Sequence, residues 1–447
     1  MVISSETSLS FIPFSASQIL AFSVFLFLVY FFSSKSIGVY LIDFSCYLPP
    51  ANLRVPGAHF VEHVELSDVF VRETIDFQTK VYERSSIGPQ SCLPLSVHQI
   101  PHDKSLNPPK AEIETVLFTV VKDILEKHQV NPKNIDILVS NCSIFCPTPS
   151  ITSMVINKFG FRSNIKSISL SGMGCSAGLV AISLAKDLLK VNRNSLALVL
   201  SMEVITSNGY EGKLKSFLLA NVLFRMGGVA VLLSNKTQDR KRSKYTIRHL
   251  FRTHMGSDNE SYKSVYQEAD ESGIVGVSLS RSLLRVAGNA MKNNITELAP
   301  HILPLNELII TGLSIVRSKL FGQKTEICVP DFKRNISHFC IHAGGKAVID
   351  AVQDKLRLSN EDGEASRMTL YRFGNTSSSS VWYELSYLEA KGRIKKGDRV
   401  WQIAFGSGFK CNSAIWECIC ELDPKTRNVW SDEIDLYPVS IPDVADY

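Results

Sequence analysis

The sequence of 447 residues lacks the compositional extremes that mark a non-globular chain. Glycine and proline are sparse, at 25 and 18 residues, which excludes a collagen-like, low-complexity or disordered protein. Neither sign of charge is in large excess, because the chain has 48 basic and 43 acidic residues and a net charge of only +5. Since no dense basic stripe is present, we do not expect nucleic acid as a partner.

Cysteine is too sparse to build a disulfide scaffold, with ten residues in the whole chain. The close pairs Cys142/Cys146 and Cys418/Cys420 have no second pair at the spacing of a zinc site. The sequence has no P-loop, no GxGxxG motif after a strand and no HExxH motif. These absences argue against phosphoryl transfer, dinucleotide redox chemistry and zinc hydrolysis. We therefore expect a folded, intracellular protein with neither a metal nor a cofactor.

One segment lacks charge altogether: no charged residue lies between Glu6 and Lys35. As a helix, the largely apolar residues 11–32 would span about 33 Å, roughly the hydrocarbon core of a bilayer. A cleaved signal peptide is the alternative, but no basic residue precedes the long apolar run. We predict a retained membrane anchor within residues 1–45. Lys35 and Arg54 follow the span, which favours a cytosolic body.

Helical and strand patterns alternate along the rest of the chain. Apolar residues recur at helical spacing from Ile113 to Leu125. Further strands are predicted over 135–140, 167–170, 195–201, 229–234 and 400–405, and further helices over 177–188 and 344–356. This alternation favours an α/β fold with buried sheets, arranged as two similar halves that meet near residue 240.

Two other segments have a distinct composition. The polar, basic residues 235–244 are predicted to form an exposed connection. Residues 302–320 are fairly apolar, but Pro304, Glu307 and Arg317 argue against a second membrane span. We expect this run to be a core or membrane-surface segment.

Cys175 is the best candidate for a nucleophile. It lies at a strand-to-helix junction between Gly174 and the first turn of the helix that follows. The free amides and the positive dipole end of that helix should favour a thiolate. Gly172 and Gly174 would allow a sharp turn and a close approach of substrate. The alternative interpretation is a buried cysteine at a tight turn, and the motif alone does not decide between them.

A thiolate nucleophile needs a base and a hydrogen-bonding partner. His342 precedes a helix, and Asn375 begins a polar run that leads into Val381. Each of them could instead have a structural role, as a core histidine or as a turn residue. His254, His301 and His338 are weaker candidates still. No spacing rule joins Cys175 to His342 and Asn375, so the residues alone leave open whether the three meet.

Several motifs together resemble those of plant 3-ketoacyl-CoA synthases, the membrane-bound condensing enzymes of very-long-chain fatty acid elongation. The likeness runs from about residue 40 to residue 417. It includes the segments around His342 and Asn375, and the motifs 172–178 (GMGCSAG), 223–228 (LFRMGG), 266–268 (YQE), 276–280 (GVSLS) and 406–412 (GSGFKCN).

The resemblance implies a thiolase-like body of two related α/β halves, residues 46–240 and 241–447, stacked in five αβαβα layers. It also implies a catalytic site of Cys175, His342 and Asn375. A long-chain acyl group would be carried on the cysteine. Malonyl-CoA would then lose CO2 and attack the acyl group, giving a 3-ketoacyl-CoA two carbons longer for very-long-chain fatty acid (wax and cuticular lipid) biosynthesis.

Further properties follow from the same resemblance. Acyl-CoA and malonyl-CoA would be the substrates, with no cofactor. The chain would form a homodimer in the endoplasmic reticulum membrane and assemble with the ketoacyl-CoA reductase, dehydratase and enoyl-CoA reductase of elongation. Backbone amides of Cys175 and of the turn formed by Gly406, Ser407 and Gly408 would bind the oxyanion. We include His254 and His338 as further candidate substrate contacts.

The sequence departs from the family pattern at two points. Only one N-terminal span is evident where relatives usually show two. Tyr371 stands four residues before Asn375, at a position where relatives often have histidine. These departures leave two other functions open: a catalytically silent regulator or scaffold of the elongase complex, and a type III polyketide synthase, which uses the same cysteine, histidine and asparagine chemistry.

Overall fold

The computed structural model describes residue 23, residues 38–321 and residues 330–442; of residues 315–321 it describes the backbone alone. The chain divides into two units, Met1–Gly38 and Val39–Tyr447, and the strands and helices that follow belong to the second. The predicted membrane span lies outside the described residues, apart from Ser23. Within the described part of the chain, no helix combines the length and the apolar character needed to cross a bilayer.

The strands within the described ranges form a large mixed sheet and a small hairpin. In chain order they are β1 (Tyr40–Cys46), β2 (Ile137–Asn141), β3 (Lys166–Leu170), β4 (Leu196–Met202), β5 (Gly228–Ser234), β6 (Tyr245–His254), β7 (Val265–Ala269), β8 (Val275–Leu279), β9 (His338–Ile341), β10 (Arg399–Gly406) and β11 (Lys410–Cys418). The large sheet has the order β3-β2-β4-β5-β1-β6-β11-β10-β9, and β7 pairs with β8 alone. Strand β2 runs parallel to β3 and β4, and β9 runs parallel to β10, whereas the other pairs are antiparallel.

Several of the described helices pack directly on the large sheet, and others contact the hairpin or neighbouring helices. They are α1 (Gly57–Leu66), α2 (Arg72–Arg84), α3 (Asn107–Lys127), α4 (Ile151–Phe159), α5 (Ala177–Val191), α6 (Lys215–Leu223), α7 (Asn259–Lys263), α8 (Leu283–Ile302), α9 (Leu305–Phe321), α10 (Lys346–Leu356), α11 (Asn360–Phe373) and α12 (Ser380–Ala390). The apolar residues whose spacing predicted a helix from Ile113 to Leu125 form the buried face of α3. The α/β prediction is therefore confirmed.

The strand order is similar on the two sides of the centre of the large sheet. Strand β5 lies between β4 and β1, just as β11 lies between β10 and β6. The two sets join through a short pairing of β1 with β6, at Tyr40↔Thr246 and Leu41↔Tyr245. Helices α5 and α12 share one apolar core with strands of both sets. The division into halves at residue 240 and the five-layer arrangement remain predictions.

The predicted connection over residues 235–244 is exposed only in its middle. Thr237, Gln238 and Lys241 are exposed, as expected. Asp239, in contrast, is buried because its carboxylate accepts hydrogen bonds from Ser234 Oγ and Arg242 Nε. The segment is therefore a tight 3-10 turn fastened to the sheet at both ends.

The apolar run over residues 302–320 is mostly helix α9, which is anchored at its start. Leu308 packs against the core beside α8, and the buried Glu307 carboxylate binds Arg334 Nη1 at 2.9 Å. The other apolar side chains described for this helix, up to residue 314, are by contrast exposed: Leu305, Ile309, Ile310 and Leu313. The sequence predicted either a core segment or a membrane-surface segment here. The exposed side chains show that a purely core position is wrong for this helix.

A buried ionic cluster ties β1 to helices from distant parts of the chain. Asp43 is 1% exposed and accepts Lys127 Nζ at 2.7 Å, His128 Nε2 at 2.9 Å and Lys244 Nζ at 2.7 Å. Lys244 Nζ also reaches Glu389 Oε2 on α12 at 2.7 Å. Burial by itself would raise the pKa of Asp43, but Lys244, His128 and Lys127 outweigh it and hold the pKa well below its usual range.

Replacing Asp43 by Asn should destabilise the fold by about 3 kcal/mol, because the largely buried Lys244 would keep Glu389 as its counter-charge but lose Asp43. A matched control is Asp76→Asn, which breaks an exposed pair with Arg72 and should cost at most about 0.5 kcal/mol. Denaturant unfolding of the two variants at neutral pH measures both values. Equal stability of Asp43→Asn and the parent chain would contradict this role of the cluster.

The same cluster predicts a pH dependence. The folded-state pKa of Asp43 lies below its unfolded value of about 3.9, so its contribution to stability is present above about pH 4 and is lost as the pH falls further. Between neutral pH and about pH 3, the parent chain should therefore lose more stability than Asp43→Asn does.

Candidate active site

The turn that carries Cys175 connects β3 to α5. Gly172 and Gly174 have φ of 67° and 69°, and the cysteine lies two residues before the start of α5. The Gly174 N–H donates to Ser143 Oγ at 2.8 Å. A Cβ atom on Gly174 would lie 2.3 Å from the backbone nitrogen of Ser407. The turn therefore needs glycine at this point, because the 406–408 turn packs directly against it.

Cys175, His342 and Asn375 all line one cavity of about 930 Å³. Gly406, Ser407 and Gly408 line the same cavity. Much of the remaining wall is apolar, and it includes Leu219, Phe224, Val265, Leu279, Phe405 and Phe409. The fold thus brings together three side chains from distant parts of the sequence, in a cavity suited to an apolar substrate.

The pKa of the Cys175 thiol is raised, whereas the helix terminus predicted that it would be lowered. Protein atoms surround the partly exposed side chain, and this loss of hydration raises its pKa to about 12. A hydrogen bond with Ser377 lowers the pKa, whereas the nearby Glu203 carboxyl raises it. The expected resting thiolate is therefore wrong: the free site holds a thiol, which needs a base to react.

His342 is a neutral imidazole at the end of β9. Its backbone N–H donates to the Ile403 carbonyl at 2.9 Å, which fixes the segment against β10. The ring is only 4% exposed, and this burial lowers its pKa to about 4. Within the described part of the chain, Nδ1 has no hydrogen-bond partner. The residue lines the cavity, and a neutral imidazole has one nitrogen that can accept a proton and one that can donate a hydrogen bond.

Asn375 is held by hydrogen bonds at both ends of its amide. Nδ2 donates to the Gly344 carbonyl at 3.2 Å, next to His342 along the chain, and Oδ1 accepts the Ser377 N–H at 2.8 Å. Its backbone pairs with the end of α6, because Asn375 N donates to Leu223 O and Arg225 N donates to Asn375 O. The site therefore contains an oriented amide that carries no charge.

Arg225 contacts the Asn375 loop, which the sequence did not predict: its backbone N–H donates to the Asn375 carbonyl, and its side-chain carbons pack against Gly374. Its guanidinium is fully buried and donates to the carbonyls of Val222 and Phe224, at 2.6 and 2.8 Å, and to Ser91 Oγ at 3.2 Å. The motif at 223–228 was a signal of its importance, but only the fold shows what it contacts.

Glu203 is a second residue that the sequence reasoning missed. Its Oε1 accepts the N–H groups of Ser143 and Ile144, each at 2.9 Å, and its Oε2 accepts Ser377 Oγ at 3.4 Å. Ser377 itself has φ of 55°, an unfavourable value for a residue other than glycine. The carboxyl thus ties the β2 end to the Asn375 loop beside the thiol. Nothing in the sequence around Glu203 signals this role.

The other candidate residues lie outside the cavity lining. His338 is at the start of β9 and binds Asp398 Oδ2 at 3.1 Å. His254 lies behind the 406–408 turn, where its Nδ1 accepts the Gly256 N–H at 3.0 Å. Tyr371 packs its ring against Gly88 and lines a different cavity. The substitution at Tyr371 therefore does not reach the three main residues directly.

No cluster of three or more His, Cys, Asp or Glu side chains in the described ranges has the arrangement of a metal site. The predicted absence of a cofactor remains a prediction. The chemistry that the described groups provide is a thiol, a neutral imidazole and a neutral amide in a largely apolar cavity.

Comparison with solved structures identifies the class of fold. The chain is similar to CsyB in its crystal structure complexed with CoA-SH, with a TM-score of 0.66 and 19% sequence identity. The match covers 85% of this chain and 100% of the CsyB chain. The bacterial type III polyketide synthase 1,3,6,8-tetrahydroxynaphthalene synthase from Streptomyces coelicolor A3(2) has a TM-score of 0.65 and 17% identity, covering 85% and 99% of the two chains. These likenesses define a thiolase-like α/β fold.

Sequence comparison identifies the family. A model described as FAE1/Type III polyketide synthase-like protein matches residues 31–320, and one described as 3-Oxoacyl-[acyl-carrier-protein (ACP)] synthase III C terminal matches residues 333–418. The chain is 57% identical to 3-ketoacyl-CoA synthase 7 of Arabidopsis thaliana, over 92% of this chain and 89% of that protein. It is 50% identical to 3-ketoacyl-CoA synthase 6 of the same plant, over 97% and 88%. The chain therefore belongs to the 3-ketoacyl-CoA synthase family.

The contacts of Glu203 predict a positioning role. Glu203→Ala should lower kcat at least about tenfold, because the Ser143 and Ile144 amides and the Ser377 hydroxyl would lose their buried acceptor. Glu203→Gln keeps one carbonyl oxygen and should restore most of the rate. Product formation from acyl-CoA and malonyl-CoA measures both variants. Full activity of the alanine variant would contradict this role, and so would an equal loss in both variants.

Proposed function

We propose that this chain catalyses the decarboxylative condensation of malonyl-CoA with a long-chain acyl group in very-long-chain fatty acid elongation. One observation carries the proposal: Cys175, His342 and Asn375 line a single cavity in a member of the 3-ketoacyl-CoA synthase family. The Cys175 sulfur attacks the acyl-CoA carbonyl, and the CoA thiol leaves. The malonyl group then releases CO2, and the resulting carbanion attacks the acyl thioester. The products are CO2 and a 3-ketoacyl-CoA two carbons longer. The Cys175 sulfur leaves as a thiolate and takes up a proton from solvent, which regenerates the thiol.

The first step needs proton transfer, since the thiol is protonated at rest. His342 is neutral and lines the same cavity as Cys175, so its ring can take the proton when the substrate carbonyl arrives. The resulting imidazolium and the developing thiolate charge stabilise one another. Burial, which disfavours either charge alone, disfavours the pair much less.

The second step develops negative charge on the malonyl thioester oxygen. His342 and Asn375 are both suited to donate hydrogen bonds to this oxygen, because neither carries a charge and both are held in place. A neutral donor stabilises the enolate without protonating the carbon that must attack. We propose that the backbone amides of Cys175 and of the 406–408 turn donate hydrogen bonds to the oxyanion that forms on the acyl thioester. The two turns pack against each other.

The cavity wall includes groups that can bind the CoA portion of either substrate. Lys80 and Arg281 are exposed cations that line it. Phosphate groups are strong acceptors for such side chains. The acyl or malonyl group of a CoA bound there would extend inward, toward Cys175.

We also propose a homodimer, joined through β3. This strand pairs only with β2 among the described strands, and Lys166 and Ser167 leave its outer edge exposed. An unpaired edge beside the Cys175 turn can add the same strand of a second copy. Sedimentation analysis in detergent should give the mass of two chains, and the mass of one chain would contradict the proposal.

The uncharged residues 11–32 support a proposal of membrane attachment, in the endoplasmic reticulum with the body facing the cytosol. Products with long alkyl chains would be released next to the bilayer, where the reductases and dehydratase of elongation could take them up. In fractionated cells expressing the full chain, activity should sediment with microsomes and resist a carbonate wash. Activity in the wash would contradict a spanning anchor.

Separate assays of the two steps test the catalytic assignments. Cys175→Ala should abolish condensation but retain CO2 release from labelled malonyl-CoA. His342→Ala and Asn375→Ala should lose both activities by about 10²-fold or more, because they remove donors to the enolate oxygen. Cys146→Ala, at an exposed cysteine outside the cavity, is the matched control and should retain both.

Two results would contradict the assignment. One is condensation at the parent rate in Cys175→Ala. The other is the absence of any product from the purified parent chain supplied with both substrates, which would instead favour a silent regulator of the elongase complex.

A further inference from the structure

A second cavity, of about 450 Å³, lies between α1, the end of α6 and the loops around residues 93–109 and 205–211. Its inner wall is apolar and includes Val55, Phe60, Val64, Leu93, Ile205 and Ala220. None of the catalytic side chains lines it. The mechanism above leaves this cavity without a role.

The second cavity shares its walls with the catalytic cavity. At three places, consecutive residues face the two different spaces: Phe77, Ile144 and Leu219 line the catalytic cavity, whereas Gln78, Phe145 and Ala220 line the second one. These three segments therefore form part of a layer that separates the two cavities.

Cys175 is in contact with that separating layer. Its side chain packs against the apolar cluster that contains Phe60, Ile205 and Ala220, all of which line the second cavity. Phe224 belongs to the same cluster and lines the catalytic cavity. An alkyl chain attached to the Cys175 sulfur thus has apolar side chains on the side that faces the second cavity.

The outer end of the second cavity is lined by four histidines. His59 and His63 lie one turn apart on α1, with ring centroids 5.4 Å from His98 and 5.8 Å from His102, respectively. The His98 and His102 rings bond the carbonyls of Leu93 and Ser96. Asp103, Lys104 and Glu211 surround them, and Lys104 Nζ binds Glu211 Oε2 at 2.6 Å. The lining therefore changes from apolar near Cys175 to polar at the surface.

We propose that the second cavity holds the distal part of the acyl chain carried on Cys175, and that the histidine cluster marks the end of the space available to it. This inference rests on the proposed function. The separating layer must open between Phe224 and Phe60 to admit the chain. Maximum acyl length is then set by the walls of the second cavity, and Ala220 is a specificity-determining residue.

The first test compares two alanines on helices that line different cavities. Ala220→Leu, on α6, reduces the second cavity, and Ala287→Leu, on α8, reduces the catalytic cavity. With a series of saturated acyl-CoA substrates, Ala220→Leu should lower kcat/KM about tenfold or more for the longest substrates and little for the shortest. Ala287→Leu should show no such dependence on length. The reverse pattern would place the chain in the catalytic cavity and overturn the inference.

The second test needs no variant. The full chain is acylated in detergent with a long-chain acyl-CoA that carries a diazirine at its methyl end, then irradiated and digested. Mass spectrometry should find the cross-link in residues 57–66 or 93–109. A cross-link in residues 277–287 or 405–409, which line the catalytic cavity, would overturn the inference while leaving the proposed function intact. Failure of Cys175 to become acylated would overturn both.

Discussion

The geometry of the site depends on close backbone contact between three segments: the turn before α5, the loop after α11 and the turn after β10. A Cβ atom on Gly174 would lie 2.3 Å from Ser407 N, and one on Gly178 would lie 2.3 Å from Ser378 O. Because real Cβ atoms do not approach other heavy atoms that closely, glycine alone allows these segments to meet. The contacts fix Cys175, Asn375 and the 406–408 turn relative to one another.

The same close packing determines the charge state of the site. Burial raises the pKa of the Cys175 thiol and lowers that of His342, so both groups are neutral before substrate binds. A neutral imidazole can accept the thiol proton in one step and donate to an enolate oxygen in the next. Asn375 cannot titrate and supplies the second donor throughout. The site therefore develops charge only during the reaction, where fixed donors are most effective.

Much of the fold could be predicted from local sequence, because the helix from Ile113 and the strands around residue 170 have regular apolar periods. The sequence offered Cys175, His342 and Asn375 as candidates, but only resemblance to a family joined them, and their roles stay predictions. Glu203 was missed because its importance comes from backbone groups distant in sequence. Arg225 was missed because two of its partners, Ser91 and Asn375, are distant in sequence. The pKa direction of Cys175 was wrong because a helix terminus is a local feature, whereas burial is set by the whole fold. The prediction that the 235–244 connection is exposed was wrong at Asp239 for a similar reason.

The central claim is that Cys175 carries the acyl group between two chemical steps. Intact-mass measurement of the full chain, incubated with a long-chain acyl-CoA without malonyl-CoA, tests it directly. We expect a mass increase of one acyl group on the peptide that contains Cys175. This added mass should disappear when malonyl-CoA is added and 3-ketoacyl-CoA forms. An unmodified Cys175 together with full product formation would contradict it.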